Sequence, residues 1–276
     1  MPTSEPPDSI PRADDLHHAL AAIRGDNLER LRLGEDGILF EAPLPSAASV
    51  AAGEDVAVSP ADGAPAPGAP PTPPLATPAA LAAAGSRRLC VLLHNNLDNK
   101  MQALARGALG DLAAALMLHA GDYALLAAFA RAVRAVCFRC DAALEAAGAS
   151  GIVLALVQTL RSALVALEAV AGSEGAAEEG GADAGVGAAD ALAAADETLV
   201  ALSTLTLANR HSVQNAALAL AEGAREAATT AVTMLSAGDW QARVRQVGNG
   251  GDGNSGARAT PEAVVKKAQL LEAVLG

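Results

Sequence analysis

Aromatic side chains are nearly absent from this chain: Phe, Tyr and Trp make up 2% of 276 residues, with a single Trp and a single Tyr. That leaves little to build sheets with, because half-buried strands draw on aromatic and β-branched side chains. No sustained apolar–polar alternation is present either. Cysteine is as sparse. Three, at positions 90, 137 and 140, do not make a disulfide framework in a chain of this length, which fits a reducing compartment. The expected location is cytoplasmic, with the nucleus as the alternative. The opening residues, MPTSEPPDSIPR, have neither the basic start nor the apolar centre of a signal peptide. No apolar run approaches the roughly 18 residues of a membrane span, and GIVLALVQTL reads as a buried helix. A broad basic face is missing too. The net charge is −12, which argues against a nucleic-acid binder; the excess acid gathers in residues 1–84 and 172–196.

What the chain has in quantity is Ala, within a hydrophobic content of 51%. Ala has the best helix propensity and loses no side-chain entropy, so closely packed helices are the expected architecture. Three stretches lack the large apolar side chains a core needs: the Ala/Pro-rich 46–80, the Gly/Glu/Ala-rich 172–190 and the Gly/Asn-rich 248–260. These are expected to be disordered.

The remaining pieces resemble one another. Gly37, Gly107, Gly148 and Gly223 each follow a helical stretch and open the next. Gly107 and Gly148 are 41 residues apart with no evident insert, and the longer gaps on either side contain the low-complexity segments. Glycine permits the sharp turn because it takes positive φ without penalty. Leu, Val and Ala at three-to-four spacing give each helix one apolar stripe. One unit cannot hide that stripe alone, but stacked neighbours can, and a period near about 40 residues with two or three helices per unit marks an α-solenoid. In this frame ANRH, residues 208–211, is a corner between units. Asn209 stops one helix there, and Ser212 caps the next.

Segments such as GALGDLAAAL, GASGIVLALVQTL and HNNLDNKMQALARGAL resemble the armadillo-repeat family, with HEAT repeats as the near structural alternative. The resemblance implies an all-α, right-handed superhelical solenoid of about four repeats with long low-complexity inserts. Residues 1–45 would form a partial repeat, 81–171 and 191–247 further repeats, and 261–276 a closing third helix. Helix Ala13–Arg24 would also be a third helix, and neither end shows a clear polar cap. In this family the third helices line a concave groove, and nuclear-import adaptors carry a W-x-x-x-N pattern there. Val200 and Thr204 would stand at those places. Looser alignment adds His18 and Ala22, Arg87 and Val91, Arg131 and Ala135, and Gln269 and Ala273. The Trp–Asn pair is missing, so binding of basic localisation peptides is not expected. Arg87, Arg88, Arg131 and Arg134 stand in or near the groove instead, with Thr204 and Asn209. Arg131 and Arg134, three apart, project from one helix face, and a guanidinium pair suits bidentate grip on a carboxylate.

Other motifs carry less. Cys137-Phe-Arg-Cys140 lacks the second ligand pair of a zinc site and the βαβ setting of a redox motif; it reads as two small residues at a helix end. The histidines are scattered, no carboxylate pair is spaced for acid–base work, and Gly-rich stretches lack phosphate-loop patterns. The lone Trp240 reads as a loop anchor. The resulting expectation is a non-enzymatic protein-interaction scaffold or adaptor with no cofactor, no metal and no membrane span. Its groove would take a protein partner with an acidic segment. The alternative is a transport adaptor or chaperone cofactor that wraps a folded partner.

Overall fold

A computed structural model describes residues 13–26, 31–33, 39–41, 76–172, 181–207, 212–237 and 259–276. Among them are 11 helices and one short two-stranded ribbon. In chain order these are α1 (Ala13–Arg24), β1 (Leu31–Leu33), β2 (Leu39–Glu41), α2 (Pro78–Leu93), α3 (Leu97–Ala105), α4 (Ala108–Leu118), α5 (Tyr123–Cys137), α6 (Asp141–Ala147), α7 (Ile152–Gly172), α8 (Gly181–Thr206), α9 (Ser212–Ala221), α10 (Ala224–Ser236) and α11 (Pro261–Leu275). The all-helical expectation holds, with one correction: strands β1 and β2 pair antiparallel, Leu31 opposite Glu41 and Leu33 opposite Leu39. Strands of three residues are too short to register as alternation in the sequence. Leu31 and Leu39 are buried against Ala21 and Ala22 of α1 and Leu81 and Ala84 of α2.

Helix starts follow their capping residues. The Thr77 hydroxyl accepts from the Ala80 amide at 3.2 Å and Pro78 opens α2; Thr260 and Pro261 do the same for α11. Asn96 caps α3 and Asp122 caps α5 through their side-chain oxygens. Before α4, α7 and α10 the chain turns on a glycine in the left-handed region: Gly107 at φ 81°, Gly151 at φ 78° and Gly223 at φ 80°. A side chain there would be strained.

The helices pack in three rows. The short helices α3, α6 and α9 are successive neighbours. So are α1, α4, α7 and α10, and so are α2, α5, α8 and α11. The second and third rows also pack against each other pairwise, α1 on α2, α4 on α5, α7 on α8 and α10 on α11. One apolar cluster runs through all of them, from Leu16 to Leu275, with Phe129, Leu156, Leu160 and Leu202 fully buried near its middle. Helix α7 is a longer apolar stretch than its ten-residue GIVLALVQTL segment suggested. Ile152–Ala171 has mean hydropathy 1.7, and 56% of it is buried between neighbouring helices.

Three further expectations change. Gly37 lies outside the described residues. Gly148 is right-handed helical, φ −59°, at the end of α6, and the corner glycine is Gly151, three residues on. An added turn, in which the Ser150 hydroxyl donates to the Ala147 carbonyl and accepts from the Ile152 amide, occupies the difference. The distance between these two corner glycines is therefore 44 residues, from Gly107 to Gly151, not 41. Finally, α8 begins at Gly181, inside the 172–190 stretch expected to be disordered. Packing of this row against α5 and α7 outweighs the low helix propensity of its glycines.

Candidate partner-binding face

The side chains expected to line a groove lie on the row α2, α5, α8 and α11. Arg87 and Arg88 are adjacent on α2 and so point about 100° apart. Arg87 is exposed and has no hydrogen bond or ion pair among the described residues. Arg88 instead turns to α1, where its Nη2 meets Asp15 Oδ2 at 2.7 Å. It belongs to the α1–α2 contact and is not brought to the same surface as Arg87.

Arg131 and Arg134 do come together, over a carboxylate. Arg131 Nε and Nη2 both donate to Glu197 Oε1, at 3.0 and 2.8 Å. Arg134 Nη1 stands 3.9 Å from Glu197 Oε2, too far for a hydrogen bond. Oε2 is buried without a hydrogen-bond partner. Two guanidinium groups, 51% and 41% exposed, thus cover a carboxylate that is 15% exposed. One row position on, Lys267 of α11 holds both oxygens of Asp196 at 2.6 Å in the same manner, the ammonium outermost. In both groups the carboxylate is the less exposed partner and the cations lie outermost; the Arg131–Arg134–Glu197 group keeps one net positive charge, and the Lys267–Asp196 pair is neutral. Cys90 lies among these charges. Burial pushes its thiol up to about 11, against the pull of Arg131 and Arg134.

Thr204 is half-buried, and its hydroxyl donates to the Val200 carbonyl one turn back at 2.8 Å, so it is engaged within its own helix. Asn209 lies outside the described residues, as do His211 and Trp240. His94 is the exposed residue that ends α2. Cys137 and Cys140 are both buried, and burial, reinforced by Cys140, raises the Cys137 thiol to about 12. Among the described residues no group of three His, Cys, Asp or Glu side chains could hold a metal ion.

Sequence reasoning missed both Asp196 and Glu197: Asp196 was counted with the acidic tract 172–196, and Glu197 directly follows it. The signal that could have found them is the helix phase set by Leu192, Leu199 and Leu202, buried at 1% or less, which turns Glu197 away from that face and leaves Asp196 at its margin. Asn215 was missed as well. It is 1% exposed, and its Nδ2 donates to the carbonyls of Leu144 at 2.8 Å and Leu205 at 3.3 Å, tying α9 to α6 and α8. Asn99 makes the matching bond from α3 to the Leu92 carbonyl at 2.8 Å. No known protein-family model, curated protein or solved structure matches this chain.

Proposed function

We propose that this protein is a non-enzymatic interaction scaffold: an armadillo-type, right-handed solenoid whose third helices α2, α5, α8 and α11 line a groove for an acidic segment of a protein partner. One observation carries the reading. From the first residue of each short helix to the left-handed glycine that follows, the spacing is nearly constant: ten residues from Leu97 to Gly107, ten from Asp141 to Gly151 and eleven from Ser212 to Gly223. Repeated local geometry on three parallel rows is what one-dimensional stacking of similar units produces. In this frame α1 is a second helix rather than a third, because it packs on α2 and α4 as α7 packs on α8 and α10. Residues described between second and third helices, such as the β1–β2 ribbon, then belong to the inserts.

The partner chemistry follows from the outward cations. Arg87 lacks a partner among the described residues and Arg134 lacks a hydrogen bond, so both guanidinium groups keep free donors for a carboxylate. Fold alone does not decide function, so the test is direct. Affinity purification with the full chain as bait, followed by mass spectrometry, should return protein partners whose recovery drops with Arg87→Glu/Arg134→Glu. Partners retained at full yield by the folded double variant would overturn the groove assignment.

A further inference from the structure

Two corners of this chain have the same backbone and opposite surfaces. Where α2 gives way to α3 the residues are His94-Asn95-Asn96, and where α5 gives way to α6 they are Phe138-Arg139-Cys140. His94 lies at φ −60°, ψ 117° and Phe138 at φ −61°, ψ 118°. Asn95 and Arg139 follow in the left-handed region, at φ 50° and 56°. Asn96 and Cys140 then occupy the two N-cap positions. The comparison isolates what the turn itself requires: a side chain content in solvent, then a residue tolerant of positive φ. His94 and Asn95 meet both needs, since Asn visits that region readily. Phe138 and Arg139 meet neither. Phe138 is 48% exposed in a chain with three Phe, and Arg139 holds a backbone disfavoured for its type. Conformations of this kind persist where the surrounding structure over-determines them, and they cluster at functional sites.

The surroundings are built around that pair. The Arg139 guanidinium lies over the Phe138 ring, 5.2 Å from its centre. From the buried side, the Lys100 ammonium donates to the Phe138 carbonyl and stands 5.9 Å from the same ring, fixing the corner. Leu97 and Met101 of α3 are 58% and 46% exposed. With Arg139, Cys140, Asp141 and Ala142 they line an open hollow of about 500 Å³. Among the described residues Arg139 has no carboxylate partner. Phe, Met and Arg are all enriched at protein interfaces, and Met adapts to varied apolar shapes.

We propose that this corner is a docking site for a short segment of a protein partner that places a Leu, Met or Phe side chain in the hollow and a neighbouring carboxylate on Arg139. Asp141 lines the hollow as well, and the carboxylate sits at its Arg139 end. The site lies on residues distinct from the Arg87 and Arg134 face, and neither assignment depends on the other.

The test uses the immobilised full chain and a phage-displayed library of random peptides about 12 residues long. Enriched sequences are synthesised and titrated by fluorescence anisotropy. The expected consensus has an apolar side chain within about three residues of Asp or Glu. Affinity for the variant Phe138→His/Arg139→Asn should fall at least about tenfold. That variant copies the α2–α3 corner, so its urea midpoint should equal or exceed that of the parent. Arg139→Asn alone, which keeps the apolar surface, should lose the acidic preference but retain apolar binding. Absence of enrichment, a consensus without a carboxylate, or equal binding by the folded variants would overturn the proposal.

Discussion

Helices α7 and α10 each begin one residue after a left-handed glycine, yet they treat the same positions oppositely. Counting from Gly151, α7 buries Val153, Val157, Leu160 and Leu164 at 4% exposure or less. Counting equally from Gly223, α10 has Arg225, Thr229, Val232 and Ser236, of which only Val232 is even half-buried. The cause is neighbours: α7 lies between α4 and α10, whereas α10 has a row neighbour on one side among the described elements. Its polar side chains also tie down the adjoining helix, Arg225 donating to the Leu275 carbonyl and Thr229 to the Glu272 carboxylate. Exposed polar side chains at these positions suit a helix with a row neighbour on only one side among the described elements. At the opposite end, α1 and α2 are covered differently, by Leu31 and Leu39 of the ribbon.

The comparison breaks most readily at Leu160. Leu160→Ala removes a fully buried side chain and leaves a void, and should cost about 2–5 kcal/mol. Val232→Ala at the matching position of α10 should cost about 1 kcal/mol. Urea denaturation of the two variants measures the ratio; equal losses would mean that α7 is not sandwiched. Polarity tests the same point more finely. Val157→Thr puts a hydroxyl where no water reaches and should cost about 1–3 kcal/mol. The reverse exchange, Thr229→Val, loses the exposed bond to Glu272 and should cost about 0.5–1.5 kcal/mol while promoting self-association, seen as a larger mass in sedimentation.

Next in size is Asn215. Its amide is shared between carbonyls on α6 and α8, so Asn215→Ala leaves buried acceptors unpaired and should cost about 1–3 kcal/mol. Asn99→Ala, at a half-buried position with a single acceptor, should cost less. A loss at Asn99 as large as at Asn215 would remove burial as the reason for the difference.

How far the sequence could be read depended on whether a residue's role was local. Turn glycines announce themselves, so helix content and the corners at Gly107 and Gly223 were legible, whereas the capping Thr77-Pro78 and Thr260 were placed in stretches expected to be disordered. Gly148 was mistaken for a corner because composition does not reveal φ. It is in fact a place of close approach, where an added Cβ would come within 3.2 Å of the Asn215 and Gln214 side chains. The ribbon was illegible because its stability comes from covering Ala21, Ala22, Leu81 and Ala84, a non-local contact. The expected Arg cluster was half legible. Spacing put Arg131 and Arg134 on one face, but helical phase turned Arg88 to Asp15, and Glu197 came from a helix 66 residues from Arg131.

Gly107 and Gly223 give a smaller and more local contrast. Both hold φ near 80°, but a Cβ on Gly107 meets open space, whereas on Gly223 it would stand 2.1 Å from Arg161 Nη2. Gly107→Ala should cost about 1–2 kcal/mol from the left-handed conformation alone. Gly223→Ala should cost the same and somewhat more, because Arg161 must swing aside. Identical losses would show that Arg161 moves freely.

The smallest effect concerns Asp190 on α8. Burial, and secondarily the nearby Asp122 that caps α5, raises its carboxyl above the usual range. A raised native value means that the folded chain binds this proton more readily than the unfolded chain. Stability therefore falls as pH rises from about 4, the ordinary carboxyl value, through the raised native value, and is level above it. Asp190→Asn removes the charge and should stabilise the protein at pH 7, by less than about 0.5 kcal/mol because the side chain is only half-buried. The advantage should shrink in acid, where the parent carboxyl is already neutral. Thermal melts of the two proteins from pH 4 to pH 7 give the comparison. A gap that widens as the solution is acidified would reverse the sign and show that Asp190 is stabilised as a carboxylate, by a partner that outweighs Asp122.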